Sequence, residues 1–167
     1  MLATMGTPID TRGAKQPLFG PVLIWGWARA VHRRGFRRSA KALKALIFMW
    51  FKAVLPPEAE VGHAVQVRHY GVGTVIHPNT RIGDRVTIWH GVTLGSASNV
   101  GSGAGVVIGN DVTIGAGATV FAGKGRVVTV GDGARIGVGA VVVRDVPAGM
   151  IVAAPEAVQL RSAVGNE

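Results

Sequence analysis

Two groups of side chains in this 167-residue sequence could carry out chemistry. The first is His69, which stands out among five histidines because glycines follow it closely and let a ligand approach the backbone. Histidine has an ordinary pKa of about 6.5, which suits a general base near neutrality. The second group is Lys124 and Arg126, which lie in a glycine-rich stretch where two cations could bind phosphate groups.

A six-residue repeat between Ile76 and Pro147 must position both groups. An aliphatic residue recurs every six positions, glycine often follows it, and a small or branched residue comes four places after it. This period fits neither a helix nor an ordinary strand, and it predicts a triangular solenoid with three hexapeptides per coil. We expect the glycines to occupy corners that need a positive φ. The repeated aliphatic residues are Ile76, Ile82, Ile88, Leu94, Ile108, Ile114, Val120, Val130, Ile136 and Val142.

Three insertions interrupt the repeat. The spacing becomes nine residues from Val67 to Ile76, fourteen from Leu94 to Ile108, and ten from Val120 to Val130. Solenoids form binding loops at such insertions, usually on one face. His69 lies in the first insertion, and Lys124 and Arg126 lie in the third.

The net charge of +9 belongs entirely to the N-terminal third of the chain. Residues 1–56 hold ten Lys and Arg against one acidic residue, whereas residues 57–167 hold eight of each sign. The neutral solenoid argues against nucleic-acid binding. The absence of cysteine excludes a disulfide framework, a thiolate zinc site and a cysteine nucleophile.

Residues 18–52 are predicted to form a basic amphipathic helical segment that breaks near Gly35. Such a segment could cap the open end of the solenoid, as repeat proteins require. It could also lie on an anionic membrane surface, and the two roles are compatible. The anchors on that surface would be Trp25, Trp27, Phe48, Trp50 and Phe51.

The chain is expected to divide into four parts: a flexible N-terminus (1–16), the helical segment (17–54), a β-helix domain (55–153) and a C-terminal tail (154–167). No apolar run approaches the roughly 18–20 residues that span a bilayer. No secretory signal is convincing either. We therefore expect a cytoplasmic protein, with or without peripheral contact at the inner face of the membrane.

Several motifs resemble the serine acetyltransferase family and its short relatives. These motifs are Leu55-Pro56-Pro57, His69-Tyr70-Gly71, the stretch 75–79, the stretch 87–95 and the stretch 139–147. The resemblance covers about residues 20–160 and implies a mainly β fold, a left-handed parallel β-helix of hexapeptide repeats after an N-terminal helical segment. It also implies a homotrimer that moves an acetyl group from acetyl-CoA to a hydroxyl of a small acceptor. No metal is expected.

The resemblance implies a role for each candidate residue. His69 matches the general base, which takes the hydroxyl proton and returns it to the CoA thiolate. We expect Tyr70, Gly71 and His90 on the acceptor side. The coenzyme is expected to contact Gly115, Ala116 and Gly117 with its pantetheine arm, and Lys124 and Arg126 with its phosphates.

Two departures from the family pattern leave alternatives open. Val54 stands where an Asp partner of the catalytic histidine is expected, so Glu58, Glu60 or a backbone carbonyl could orient His69 instead. The loop from Ser96 to Gly105 lacks the Arg-His pair that the serine enzymes carry. The acceptor could therefore be serine, or a sugar in polysaccharide or lipopolysaccharide biosynthesis.

Two other classes of protein compete with an acetyltransferase. A γ-carbonic anhydrase-like metal enzyme would need clustered imidazoles, commonly three, with one close pair in sequence. The spacing of His63, His69 and His77 provides no such pair. A non-catalytic scaffold on a membrane surface would explain the basic helix and the missing Asp.

Overall fold

The computed structural model describes residues 20–155, in which two helices precede a parallel β-helix. Helix α1 is Pro21–Arg33 and helix α2 is Arg37–Phe51, with Gly35 between them at a φ of +87°. The predicted flexible N-terminus and all but two residues of the predicted tail lie outside the described residues. The strands are β1 (Glu60–Val61), β2 (Gln66–Val67), β3 (Val75–Ile76), β4 (Arg81–Ile82), β5 (Thr87–Ile88), β6 (Thr93–Ser96), β7 (Val106–Ile108), β8 (Thr113–Ile114), β9 (Thr119–Ala122), β10 (Val128–Val130), β11 (Arg135–Ile136), β12 (Val141–Val142) and β13 (Ile151–Val152).

The strands form three parallel sheets that are the sides of a triangular prism. Sheet I has the order β1-β4-β7-β10, sheet II has β13-β11-β8-β5-β2, and sheet III has β12-β9-β6-β3. Consecutive strands along the chain fall in different sheets, so the chain winds around the prism. This architecture confirms the parallel β-helix predicted from the six-residue period. We name the edges by the sheets that they join: edge I–II, edge II–III and edge III–I.

The insertions set the length of each coil. Three hexapeptides make eighteen residues, but Glu60 pairs with Arg81, which is 21 positions later (18 + 3). Arg81 then pairs with Val107, 26 positions later (18 + 8), and Val106 pairs with Val128, 22 positions later (18 + 4). The insertions do not share one face as expected: the first lies at edge II–III, whereas the second and third lie at edge III–I.

The core of the prism is a single column of aliphatic side chains. All ten residues of the six-residue repeat are buried, and so are the smaller residues four places after them, such as Val86 and Ala118. Burying one aliphatic side chain of this size stabilises a fold by about 1.5–3 kcal/mol. Each repeat therefore contributes to stability through contacts with the coils directly above and below it.

The glycines that follow the aliphatic residues have a different role from the one predicted. A Cβ at Gly115 would lie 2.6 Å from the backbone nitrogen of Val138, so glycine is required because successive coils approach closely. The positive φ comes two residues later, as at Gly117 with a φ of +66°. The expectation that the first glycine supplies the positive φ was wrong.

Both helices pack on the open end of the prism. Their buried residues Ile24, Trp25, Ile47 and Phe51 join the same hydrophobic cluster as the core aliphatics. The indole N–H of Trp25 donates a buried hydrogen bond of 2.7 Å to the carbonyl oxygen of Pro56. The helical pair therefore caps the first coil.

Arg29 attaches helix α1 to the first strand. Its guanidinium donates to the carbonyl oxygens of Ala59 at 3.2 Å and Val61 at 2.6 Å. Burial, and secondarily the charge of Arg33, lower the pKa of Arg29 from its ordinary value. The guanidinium satisfies two backbone acceptors at the end of sheet I, where β1 has no earlier strand beside it.

The aromatic residues of the helices divide into two sets. Trp25 and Phe51 are only 1% and 8% exposed, so the expectation that they anchor a membrane was wrong for these two. Trp27, Phe48 and Trp50 are more than half exposed. Within residues 20–155, neither helix is long and apolar enough to cross a membrane.

Candidate active site

The first insertion builds a turn at edge II–III that presents His69. Within the short helical turn Arg68–Gly71, His69 and Tyr70 have φ values of +51° and +55°, in the left-handed region. That conformation costs a non-glycine residue about 1–2 kcal/mol. The turn closes where the N–H of Val72 donates to the carbonyl of His69 at 3.3 Å. Backbone strain of this kind concentrates at functional sites.

His69 forms a hydrogen bond with His90 of the next coil. The two Nδ1 atoms are 2.9 Å apart, and the ring centroids are 4.8 Å apart. Trp89 packs against the ring of His69 at 5.3 Å with an interplanar angle of 84°. The coil of 21 residues explains the pairing, because Gln66 aligns with Thr87 and therefore position 69 aligns with position 90.

His90 is the partner of His69 that the sequence left undetermined. The carboxylate of Glu60 instead pairs with Arg81 at 3.2 Å on sheet I. Glu58 lines a cleft of about 600 Å³ beneath helix α1, next to sheet I. Neither carboxylate belongs to edge II–III, so the open alternatives that named them are not supported.

Tyr70 and Gly71 hold the turn against the helical cap. The ring of Tyr70 stacks on that of Phe51 with centroids 5.9 Å apart and an interplanar angle of 17°. Gly71 is buried with a φ of +65°, and a Cβ there would lie 2.6 Å from Cγ1 of Val67. Packing therefore explains both residues, and their role in acceptor binding stays a prediction.

Gly115, Ala116 and Gly117 lie on the same edge, one coil beyond His90. The N–H of Gly117 donates to the carbonyl of His90 at 3.0 Å. No atom within 4 Å blocks the side of Gly117 where a Cβ would stand. The edge therefore offers an open backbone surface that continues from the histidine pair.

Lys124 and Arg126 lie at edge III–I, so a single chain does not bring them to His69. Both side chains are exposed. Their loop joins the second insertion, because the N–H of Gly125 donates to Oγ of the buried Ser98 at 2.9 Å. The second and third insertions therefore form one continuous surface.

Asn79 organises this surface and was not singled out from the sequence. Its side-chain amide donates to the carbonyls of Asn99 and Ala104, each at 2.8 Å, and to Oγ of Ser102 at 3.2 Å. Its Oδ1 accepts from the N–H of Gly101 at 2.7 Å. The sequence signal that could have identified Asn79 is its position: it is a polar residue in a regular coil, one coil before the longest insertion.

The described residues contain no group of three or more His, Asp or Glu side chains that could hold a metal ion. The pair of His69 and His90 provides two imidazoles. A third protein ligand, which zinc enzymes of the carbonic anhydrase type use, is not found beside them in residues 20–155.

The prism carries an imidazole pair on edge II–III and a cationic glycine-rich loop on edge III–I. Residues 73–106 match the family model described as bacterial transferase hexapeptide (six repeats). The chain is 38% identical to the serine acetyltransferase of Helicobacter pylori strain J99 over 128 residues, which are 77% of this chain and 72% of that protein. The chain therefore belongs to the serine acetyltransferase family.

Solved structures support the same assignment. Soybean serine acetyltransferase complexed with serine aligns with a TM-score of 0.73 and 33% identity, covering 81% of this chain and 54% of that one. A serine acetyltransferase in complex with CoA aligns with a TM-score of 0.70 and 27% identity, covering 80% and 53%. This chain thus spans about half the length of these solved relatives. The expectation of an acetyl-CoA-dependent acetyltransferase is confirmed at the level of the family.

Proposed function

We propose that this protein transfers an acetyl group from acetyl-CoA to the hydroxyl of a small acceptor, with serine as the first candidate and His69 as the general base. The observation that carries the proposal is the strained turn that holds His69 at an exposed edge with Nδ1 already hydrogen-bonded. The free nitrogen of the ring, Nε2, is then the one available to an acceptor.

The reaction needs no covalent enzyme intermediate. Nε2 of His69 takes the proton of the acceptor hydroxyl as that oxygen attacks the thioester carbon. The carbon–sulfur bond of the resulting oxyanion then breaks, and the proton passes from His69 to the CoA thiolate. Backbone N–H groups along edge II–III would stabilise the oxyanion.

We propose that the working unit is a homotrimer. Edge II–III carries the histidine pair and edge III–I carries the cationic loop, so one chain leaves the two parts of the site on separate edges. A ring of three copies could place edge II–III of one copy against edge III–I of the next. The outer surface of sheet III supports this arrangement, because Val75, Phe121 and Val141 are 42%, 39% and 69% exposed.

In that arrangement, the coenzyme would lie along Gly115, Ala116 and Gly117, against the open side of Gly117. Lys124 and Arg126 would contact its phosphates from edge III–I. Exposed cations in a glycine-rich loop can turn toward a phosphate without displacing packed side chains.

A sugar hydroxyl is the second candidate acceptor. The loop 97–105 carries no charged side chain, so it offers no cation to the carboxylate of serine. The exposed Tyr70 would face the acceptor in either case, and the buried Gly71 would support the turn behind it.

The test is the release of CoA thiol from acetyl-CoA in the presence of serine, homoserine or a panel of sugars. Turnover with serine supports the first acceptor, and turnover with a sugar alone supports the second. Absence of acetyl-CoA binding and turnover would instead favour a non-catalytic scaffold.

We also propose peripheral contact between the helical cap and an anionic membrane surface, on its cytoplasmic side. Residues 20–57 contain no acidic side chain and eight Lys and Arg residues. Trp27, Phe48 and Trp50 expose their rings on these basic helices. An interfacial helix binds through this combination of aromatic anchors and cations.

A further inference from the structure

We propose that His90 is a positioning residue for His69, and that the two imidazoles work as a histidine dyad in place of a histidine–carboxylate pair. The inference rests on the proposed function, in which His69 is the general base. It gives His90 a different role from direct contact with the acceptor.

The distance between the two rings requires one shared proton. A neutral imidazole has one N–H donor and one acceptor nitrogen. At 2.9 Å, two protonated Nδ1 atoms would clash and two bare ones would place lone pairs against each other. One Nδ1 therefore donates and the other accepts.

Only one of the two tautomer arrangements makes His69 a base. If Nδ1 of His69 donates to Nδ1 of His90, Nε2 of His69 is bare and can take a proton from the acceptor. If the direction is reversed, Nε2 of His69 carries the hydrogen and cannot accept. His90 selects the active arrangement when its Nε2 carries the hydrogen and its Nδ1 accepts.

The fold holds His90 in position for this role. Its carbonyl accepts from the N–H of Gly117 at 3.0 Å, which ties its backbone to the next coil. Trp89 packs against the ring of His69. The rings are thereby fixed relative to each other by a strained turn on one coil and a regular edge on the next.

A second imidazole is useful because Val54 stands where a carboxylate partner of His69 is expected. The side chain of valine cannot accept a hydrogen bond. Once His69 has taken the proton of the substrate hydroxyl, its Nδ1–H still donates to the neutral Nδ1 of His90. This hydrogen bond then becomes stronger, because a charged donor makes a stronger hydrogen bond than a neutral one. Arg68 and Tyr70 are ionisable residues of the turn itself. Lys52 contacts the following residues through its backbone carbonyl, which accepts from the N–H of Gly73, and its Nζ lies over the ring of Phe48 at 5.8 Å.

Two substitutions of His90 test the dyad through kcat and KM, and a third substitution serves as the control. His90→Asn places Oδ1 close to where Nδ1 stood, so it keeps an acceptor, whereas His90→Ala removes it. We expect His90→Ala to lower kcat by about 10- to 100-fold, with the KM for acetyl-CoA within about twofold of wild type. His90→Asn should recover kcat to within about fivefold of wild type. The matched control is His63→Asn at edge I–II, where the hydrogen bonds of the exposed His63 are made by its backbone, whose N–H donates to Asp84 and whose carbonyl accepts from Arg85.

A second measurement does not depend on turnover. The proton shared by the two Nδ1 atoms should give a low-field proton resonance in the wild-type protein. It should be lost in both His90→Ala and His69→Ala and kept in His63→Asn. Loss of the resonance and of kcat together supports the dyad.

An unchanged kcat in His90→Ala, or no shared-proton resonance in the wild type, would overturn the inference. If the wild-type protein turns over no acceptor, the proposed function fails on its own. The resonance then still decides whether the two rings share a proton.

Discussion

Asn79 provides the sharpest test of how the two loops at edge III–I are held. Its side chain makes four hydrogen bonds to the second insertion, at distances from 2.7 to 3.2 Å. An intramolecular hydrogen bond contributes about 0.5–1.5 kcal/mol, and the lower value applies because this loop is largely exposed to water. Asn79→Ala should therefore reduce the free energy of unfolding by about 2 kcal/mol.

The matched control is Asn110→Ala at edge I–II. The side chain of Asn110 accepts one hydrogen bond, from the N–H of Asp84 at 2.8 Å. Its loss should cost about 0.5–1 kcal/mol. Urea unfolding followed by circular dichroism, at equal protein concentration for both variants, measures the difference of about 1 kcal/mol or more.

The two variants should also differ in coenzyme binding. Asn79 holds the loop that contains Ser98, and Ser98 in turn accepts from Gly125 beside Lys124 and Arg126. Loosening that loop should raise the KM for acetyl-CoA by about three- to tenfold, equivalent to about 0.7–1.4 kcal/mol, and leave Asn110→Ala at the wild-type value. Equal stability and equal KM in the two variants would refute the role that we assign to Asn79.

Three further predictions concern the other parts of the molecule. Lys124→Ala combined with Arg126→Ala should raise the KM for acetyl-CoA by about 5- to 50-fold without changing kcat, and an unchanged KM would assign the loop elsewhere. Trp25→Phe should lower the free energy of unfolding by about 1–3 kcal/mol, because the carbonyl of Pro56 loses its buried donor; a loss below 0.5 kcal/mol would contradict this role for the cap. Trp27→Ser should weaken sedimentation with anionic vesicles while leaving stability unchanged, and equal binding by both proteins would rule out the exposed indole as an anchor.

The fold could be predicted from the sequence because its packing is local and repetitive. Each aliphatic residue of the repeat contacts its equivalents in neighbouring coils, so a period of six residues carries the whole architecture. The break between the helices near Gly35 could also be predicted, because glycine tolerates the φ of +87° found there. The precise role of the glycines was not visible, because close approach between coils depends on how the coils stack.

The contacts of the candidate site depend on register and docking. Counting three repeats from Val67 leads to Ile88, and the same step from His69 leads to His90, so the histidine pair could have been found from the sequence. The burial of Trp25 and the exposure of Trp27 could not be predicted from the sequence. The spacing of apolar residues defines the apolar face of a helix but not the surface on which that face packs. The hydrogen bonds of Asn79 likewise depend on the path of a loop that has no repeat.

In the proposed reaction, His69 removes the proton from the acceptor hydroxyl. The most direct measurement is the kcat of His69→Asn in the CoA-release assay, with the oligomeric state checked by light scattering. Asparagine tolerates the left-handed conformation at this position, so the turn should be preserved. We predict a loss of kcat of about 10²- to 10⁴-fold in a protein that keeps its fold and assembly. A kcat within about threefold of the wild type in that intact protein would show that His69 is not the general base.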